Sequence, residues 1–148
     1  MKIKNVVVIG SGTMGSGIAA HLCNANIPVT LLDLKTEISE KARERIYKSR
    51  PPLLTDKTKI DNIKVGNIND NFDVVKDADW VVEAVVERID IKHNIYEKIF
   101  KNRKKGAIVS SNTSSIPIKV LSEKLSQEEK KDFCITHFFN QVRYMGLL

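Results

Sequence analysis

Gly10-Ser11-Gly12-Thr13-Met14-Gly15 fits the pattern G-x-G-x-x-G. Glycines at that spacing let a backbone turn tightly and come close to a phosphate. Gly10 makes the turn, Gly12 admits a pyrophosphate, and Gly15 lets a helix pack closely on a strand. Thr13 and Met14 open that helix, whose N-terminal N–H groups and partial positive charge suit an anion. Asp33 lies 18 residues after Gly15. There a carboxylate can accept hydrogen bonds from the 2′-hydroxyl of an adenosine ribose. The same carboxylate would repel a 2′-phosphate, so NAD is expected rather than NADP. Lys35 is the nearby basic residue that weakens this choice. Glycines also mark ordinary turns, so the reading depends on the elements around them.

Those elements alternate. Asn5–Ile9 reads as an apolar strand and Met14–Ala25 as a helix with small residues on one side. Pro28–Asp33 is a second strand. Thr36 can cap a helix whose apolar positions Ile38, Ala42 and Ile46 fall four apart, and Pro51-Pro52 stops it. After a polar stretch from Leu53 to Asn71, with a short strand near Ile63–Val65, Trp80–Val86 is a strand interrupted by Glu83. Ile91, Ile95 and Ile99 mark a helix, Ala107–Ser111 a strand, and Pro117 the start of a short helix. Ser126 and Glu129 have capping-box spacing, and Asp132–Phe138 is the last strand. Unbroken apolar strands alternating with amphipathic helices predict βαβ units. The expected fold is α/β, a Rossmann-type doubly wound, mostly parallel sheet with helices on both faces, in a single domain.

Composition agrees with this and excludes other classes. The chain has 148 residues, enough to bury about 70% of its unfolded surface. With 42% hydrophobic and 28% charged residues, disorder, collagen and coiled coil are poor fits. The longest aliphatic run, Val6–Ile9, is too short for a membrane span or a signal peptide, so a cytoplasmic chain without membrane contact is expected. The net charge of +6 suits an anionic partner. Basic residues gather at Arg43–Arg50 and Lys101–Lys105, and both groups read as solvated helix faces. A nucleic-acid binder is the remote alternative: Trp80 reads as buried strand rather than stacking platform, and no DNA-binding motif is present. Cys23 and Cys134 form neither a disulfide framework nor a metal-ligand spacing, and read as small buried hydrophobes.

Beyond the glycine loop, the chain resembles the 3-hydroxyacyl-CoA dehydrogenases of fatty-acid β-oxidation, and most of all the bacterial chains that fuse this enzyme to an enoyl-CoA hydratase. The resemblance rests on GSGTMGSGIAAHL at Gly10–Leu22, DWVVEAVVERIDIKHNIYEKI at Asp79–Ile99, SSNTSSIPI at Ser110–Ile118 and THFFN at Thr136–Asn140. It implies an NAD-binding domain over residues 1–148, with NAD and acyl-CoA as ligands. By the same resemblance, His137 matches the general base that takes the 3-hydroxyl proton while hydride leaves for the nicotinamide. An imidazole suits that work, because its ordinary pKa near ~6.5 allows proton traffic at neutral pH. Ser114 matches a serine that hydrogen-bonds the reacting oxygen, although it can equally cap the helix at Pro117. Asn140 matches an asparagine near the nicotinamide. Glu87 and Lys92 match cofactor contacts, with a helix-start acid and a solvated lysine as their plain alternatives. His21 and His93 read as satisfied structural histidines. Glu83 has no partner that can be named.

The resemblance breaks after Asn140. Gln141 stands where the family has proline, Gly146 where a basic residue is common, and the glutamate that orients the histidine would follow Leu148. The family's C-terminal helical domain, which completes the acyl-CoA site and makes the dimer, is also absent from the 148 residues. The expectation is therefore a domain weak or inactive alone. The alternative is a non-catalytic dinucleotide-binding module or the remnant of a shortened gene. Arg43, Arg45, Lys48 and Arg50 are candidates to meet CoA phosphates by position. Tyr144–Leu148 is expected to be an exposed apolar end that invites a homo-oligomer or a partner chain.

Overall fold

The structure is a computed structural model that describes residues 2–146 and Leu148. Six parallel strands form its sheet: β1 (Val6–Ile9), β2 (Val29–Asp33), β3 (Ile63–Asn67), β4 (Trp80–Glu83), β5 (Ile108–Ser111) and β6 (Phe133–Ile135). Their spatial order is β3-β2-β1-β4-β5-β6. This is the doubly wound order in which the chain direction across the sheet reverses between β1 and β4, leaving a crevice at the strands' carboxyl ends. The helices are α1 (Thr13–Asn24), α2 (Thr36–Lys48), α3 (Ile89–Asn102), and the one-turn α4 (Ile118–Leu121) and α5 (Gln127–Lys130).

The apolar runs are unbroken because both faces of the sheet are covered. On β1, Val6 and Val8 pack with Ile18 and Leu22 of α1 and Ala42 and Ile46 of α2. Val7 and Ile9 point the other way, toward Tyr96 and Ile99 of α3 and Leu121 of α4. The expected fold class is the observed one.

Element ends differ from the sequence reading where a ladder runs out. β4 ends at Glu83, opposite Ile9, because the next ladder bond, Ala84 N–H to Ile9 O, is the last that β1 can accept before Gly10 turns away. β6 ends at Ile135. Thr136 N–H still reaches Ser111 O, but Phe138 N–H turns to the Asn112 side chain instead. His137 therefore lies just past the strand. In α2 the buried positions are Ser39, Ala42 and Ile46, and Ile38 is exposed. Ser39 belongs inside because its hydroxyl meets both Thr36 O and Gly66 O. Thr36 does not cap: Lys35 is the N-cap, and the Thr36 hydroxyl accepts from Asn67. The capping box at Ser126 and Glu129 is present. Cys23 is buried, whereas Cys134 is only half-buried; burial raises the pKa of both thiols. Trp80 is likewise half-buried rather than enclosed.

Candidate active site

The glycine loop joins β1 to α1. Gly10 has φ +99°, and a Cβ there would lie 2.4 Å from Ala84 O. At Gly15 a Cβ would lie 1.8 Å from Gly10 O, so helix and loop are in direct backbone contact. Gly12 is different. A Cβ there would meet nothing within 4 Å, so its position faces open space. Among the described residues no side chain caps α1, and its first turn holds no acid, so the helix N–H groups are available to an anion. This cradle fits a dinucleotide pyrophosphate.

Asp33 sits at the end of β2 with its carboxylate against the same loop. Its Oδ2 accepts from Ser11 N–H at 2.7 Å and from the Ser11 hydroxyl at 2.6 Å, and its Oδ1 accepts from Leu34 N–H at 2.7 Å. A carboxylate has about four acceptor positions, so one remains for a ribose hydroxyl. Arg45 is a second basic residue here besides Lys35, because its guanidinium donates to Ser11 O at 3.0 Å. The solvated-face reading of the basic group on α2 is thus incomplete. Arg43 also turns inward, donating to Ile60 O.

Across the crevice, Met14, Glu87, Ser114, His137 and Asn140 line one cavity of about 430 Å³, together with Asn112 and Phe139. Met14 lies in α1 after β1, and three further strands deliver the others: Glu87 follows β4, Ser114 follows β5, and His137 and Asn140 follow β6. The Asn112 side chain accepts from Phe138 N–H at 2.9 Å and so holds the β6 end beside the β5 end. The His137 ring lies 4.8 Å from that of Phe139, centroid to centroid. Among the described residues His137 has no hydrogen-bonded partner. The Ser114 hydroxyl has none either, and the turn into α4 is held by Thr113, whose hydroxyl accepts from Ile116 N–H.

Glu87 accepts from the Thr113 hydroxyl and from Ser114 N–H. Burial acts to raise its pKa, but the Thr113 hydroxyl and the Lys92 ammonium outweigh it, so the carboxyl lies below its ordinary value. Lys92 is not solvated. Only 1% of its side chain is exposed, with Nζ 2.7 Å from Glu83 Oε1 and 3.3 Å from Glu87 Oε2. It reaches the cavity only through Glu87. Glu83, wholly buried, also accepts from Val85 N–H at 2.8 Å and from the hydroxyls of Tyr96 and Ser111 at 2.6 Å. Burial and this carboxylate push the Tyr96 phenol well above its usual range. His93 is buried and bonded to Val120 O, as a structural histidine should be. His21 is exposed instead, edge-on to Phe138.

Sequence reasoning missed Asn112 and Thr113, and it named Arg45 only as a candidate for CoA phosphates, not as a partner of the glycine loop. The first two lie inside the quoted SSNTSSIPI segment, so a signal was there, whereas nothing local to Arg45 places it at the glycine loop. Tyr144, Met145 and Leu148 are 50%, 46% and 65% exposed, in line with the expected apolar end. The segment is nevertheless tied down: Arg143 donates to Pro52 O and Leu54 O, and the Tyr144 hydroxyl to Pro52 O. Leu147 lies outside the described residues. Among them, no helix is long and apolar enough to cross a membrane, and no cluster of His, Cys, Asp and Glu is arranged to hold a metal.

Comparison with known proteins agrees with this geometry. Residues 5–148 match the family described as "3-hydroxyacyl-CoA dehydrogenase, NAD binding domain". A "Probable 3-hydroxyacyl-CoA dehydrogenase" of Deinococcus radiodurans is 44% identical over 155 residues, covering 100% of this chain and 45% of that protein. The "Peroxisomal fatty acid beta-oxidation multifunctional protein AIM1" of Arabidopsis thaliana is 36% identical, covering 99% of this chain and 21% of its own length. Among solved structures, (S)-3-hydroxybutyryl-CoA dehydrogenase from Ralstonia eutropha superposes with a TM-score of 0.82 at 32% identity, over 99% of this chain and 53% of that one. The 3-hydroxybutyryl-CoA dehydrogenase of Escherichia coli gives 0.85 at 26% identity, over 98% and 31%. The chain thus spans from about a fifth to half the length of the relatives it matches. With a six-stranded sheet in dinucleotide-binding order and a matching sequence along nearly its whole length, this chain belongs to the 3-hydroxyacyl-CoA dehydrogenase family, as its NAD-binding domain.

Proposed function

We propose that residues 1–148 form the cofactor-holding part of an enzyme that oxidises the 3-hydroxyl of an L-3-hydroxyacyl-CoA to a ketone. One observation carries this reading: Ser114, His137, Asn140 and Glu87, delivered by three strand ends, face one cavity beside the glycine loop. NAD bound in the loop supplies a hydride acceptor. The chain's own residues do the rest. The glycine loop and α1 hold the pyrophosphate, and Asp33 takes a ribose hydroxyl. Ser114 donates to the reacting oxygen, His137 accepts its proton as the carbon–hydrogen bond breaks, and Asn140 and Glu87 border the nicotinamide.

His137 has no carboxylate to orient it among the described residues, and the cavity is open on one side. The 148 residues alone are therefore expected to bind the cofactor better than they turn over substrate. The comparable orienting acid of a serine protease is worth about 10⁴ in turnover. The same observation supports the second reading, a dinucleotide-binding module without catalysis. The acyl-CoA and any further chain or second copy of this one would close the open side, over the exposed Phe139 that lines it.

Calorimetric titration with NAD and then NADP tests the cofactor assignment, with NAD expected to bind the more tightly. Acetoacetyl-CoA and NADH, followed by absorbance, then test chemistry. Turnover lost in His137→Gln with NAD binding retained supports the dehydrogenase. NAD binding with no turnover at all leaves the module, and no binding of either cofactor refutes both.

A further inference from the structure

Two carboxylates and one ammonium make the cluster beneath the cavity: Glu83 and Lys92 are 0% and 1% exposed, and Glu87 is 37% exposed at the rim. One negative charge is left over. Lys92 bridges both acids, at 2.7 Å and 3.3 Å, and among the described residues it is the only cation paired with either. Glu87 is the only carboxylate among the cavity's lining residues, and His137 the only other titratable group there. All four acceptor positions of Glu83 are filled, by Lys92, Val85 N–H, Tyr96 and Ser111. Packing needs no such charge inside an apolar strand, since a buried ion pair is seldom better for stability than well-packed apolar residues.

We propose that the Glu83–Lys92–Glu87 cluster biases the bound cofactor toward its oxidised form. The idea rests on the dehydrogenase reading above, which puts the nicotinamide beside Glu87. An oxidised nicotinamide is a cation. On accepting a hydride, which carries two electrons and one proton, it becomes neutral. A fixed excess negative charge at the cavity wall attracts the first form and not the second, and does so more strongly where water is excluded. The loop glycines and Asp33, by contrast, would meet only the pyrophosphate and the adenosine ribose, which are the same in both forms. Glu83 acts through Lys92 and Glu87 and is a positioning residue; Glu87 is the group at the wall.

The test is calorimetric titration of the full chain, and of Glu87→Gln and Glu83→Gln, with NAD, NADH and ADP-ribose. The unaltered chain gives the reference ratio of the NADH to the NAD dissociation constant. In both variants the ratio of the NADH to the NAD dissociation constant should fall roughly fivefold to tenfold, a tenfold change being about 30 mV for a two-electron couple. ADP-ribose, which lacks the nicotinamide, should change little with Glu87→Gln. A merely structural role for Glu83 would weaken NAD and NADH in parallel and leave the ratio unmoved, which overturns the proposal. Glu87→Gln at the rim keeps the test decisive where Glu83→Gln fails to fold. If ADP-ribose binds and the ratio is unchanged, the inference fails while the cofactor site stands. If neither ADP-ribose nor NAD binds the unaltered chain, the underlying reading fails with it.

Discussion

The two ends of the cofactor crevice are built in opposite ways. At the adenosine end, Gly10, Ser11, Gly12 and Asp33 come from one contiguous β1-α1-β2 unit, and hydrogen bonds close it: Asp33 is held by three donors and Ser11 O by Arg45 and the Ser16 hydroxyl. At the end proposed to be reactive, Glu87, Ser114 and His137 arrive from three separate strands. Glu87 is anchored there, but the Ser114 and His137 side chains meet no polar partner among the described residues. An anchor for an unchanging adenosine diphosphate can be rigid before binding. Groups that act on a reacting atom tighten only once substrate arrives.

Breaking the contrast hardest should be Glu83→Ala, which leaves the buried Lys92 with only Glu87, at 3.3 Å and partly exposed, and takes the acceptor from the hydroxyls of Tyr96 and Ser111. Urea unfolding is expected to lose about 3–5 kcal/mol, the usual cost of removing one partner of a buried pair. Gly15→Ala comes next, because the new methyl would overlap Gly10 O; a loss of about 3 kcal/mol is expected, at the upper end for overpacking. Gly12→Ala sharpens the comparison. Its position is open, so thermal unfolding should shift by less than about 0.5 kcal/mol while NAD binding weakens. Asp33→Ala should weaken NAD by about tenfold or more, in keeping with roughly 1.5–3 kcal/mol for a hydrogen bond to a charged group. Serine 11 then loses its partner too, so a small loss of stability should accompany it.

The smallest effect lies far from the crevice. Asp79 accepts from Lys104, Lys4 N–H and Asn5 N–H, which hold its carboxyl down at about 2. A depressed carboxylate contributes stability above its unfolded pKa, near ~3.9, and that contribution is lost as pH falls toward the folded value. Urea midpoints measured from pH 5 down to pH 2 should therefore drop less steeply in Asp79→Asn than in the unaltered chain. Equal slopes would show that these bonds leave the protonation equilibrium untouched.

The same contrast governs what could be read from sequence. The glycine loop and Asp33 were legible because strand, turn, helix and acid follow one another along the chain. His137 and Ser114 were reached only by resemblance, since neither residue's neighbours say what will fold beside it. Glu83 shows the limit best. Its partners Tyr96 and Ser111 lie 13 and 28 residues later, and only the β4–β5 pairing and the return of α3 over the sheet bring them together. The plain alternative for Lys92, a solvated lysine, misses its burial for the same reason. Ile38 and Ser39 exchanged places because a polar residue with two carbonyls to satisfy can outcompete an apolar one for a buried position.

Trp80 is the only tryptophan in the chain. Its indole donates to the Ser110 hydroxyl at 2.8 Å and stacks on Phe138 with centroids 6.5 Å apart. Phe138 follows His137 directly, so the emitter is coupled to the segment that carries the proposed base. The molecule thus has an optical gauge of its own: a change in emission on adding cofactor would report movement of that segment without any label, and Trp80→Phe would supply the dark control.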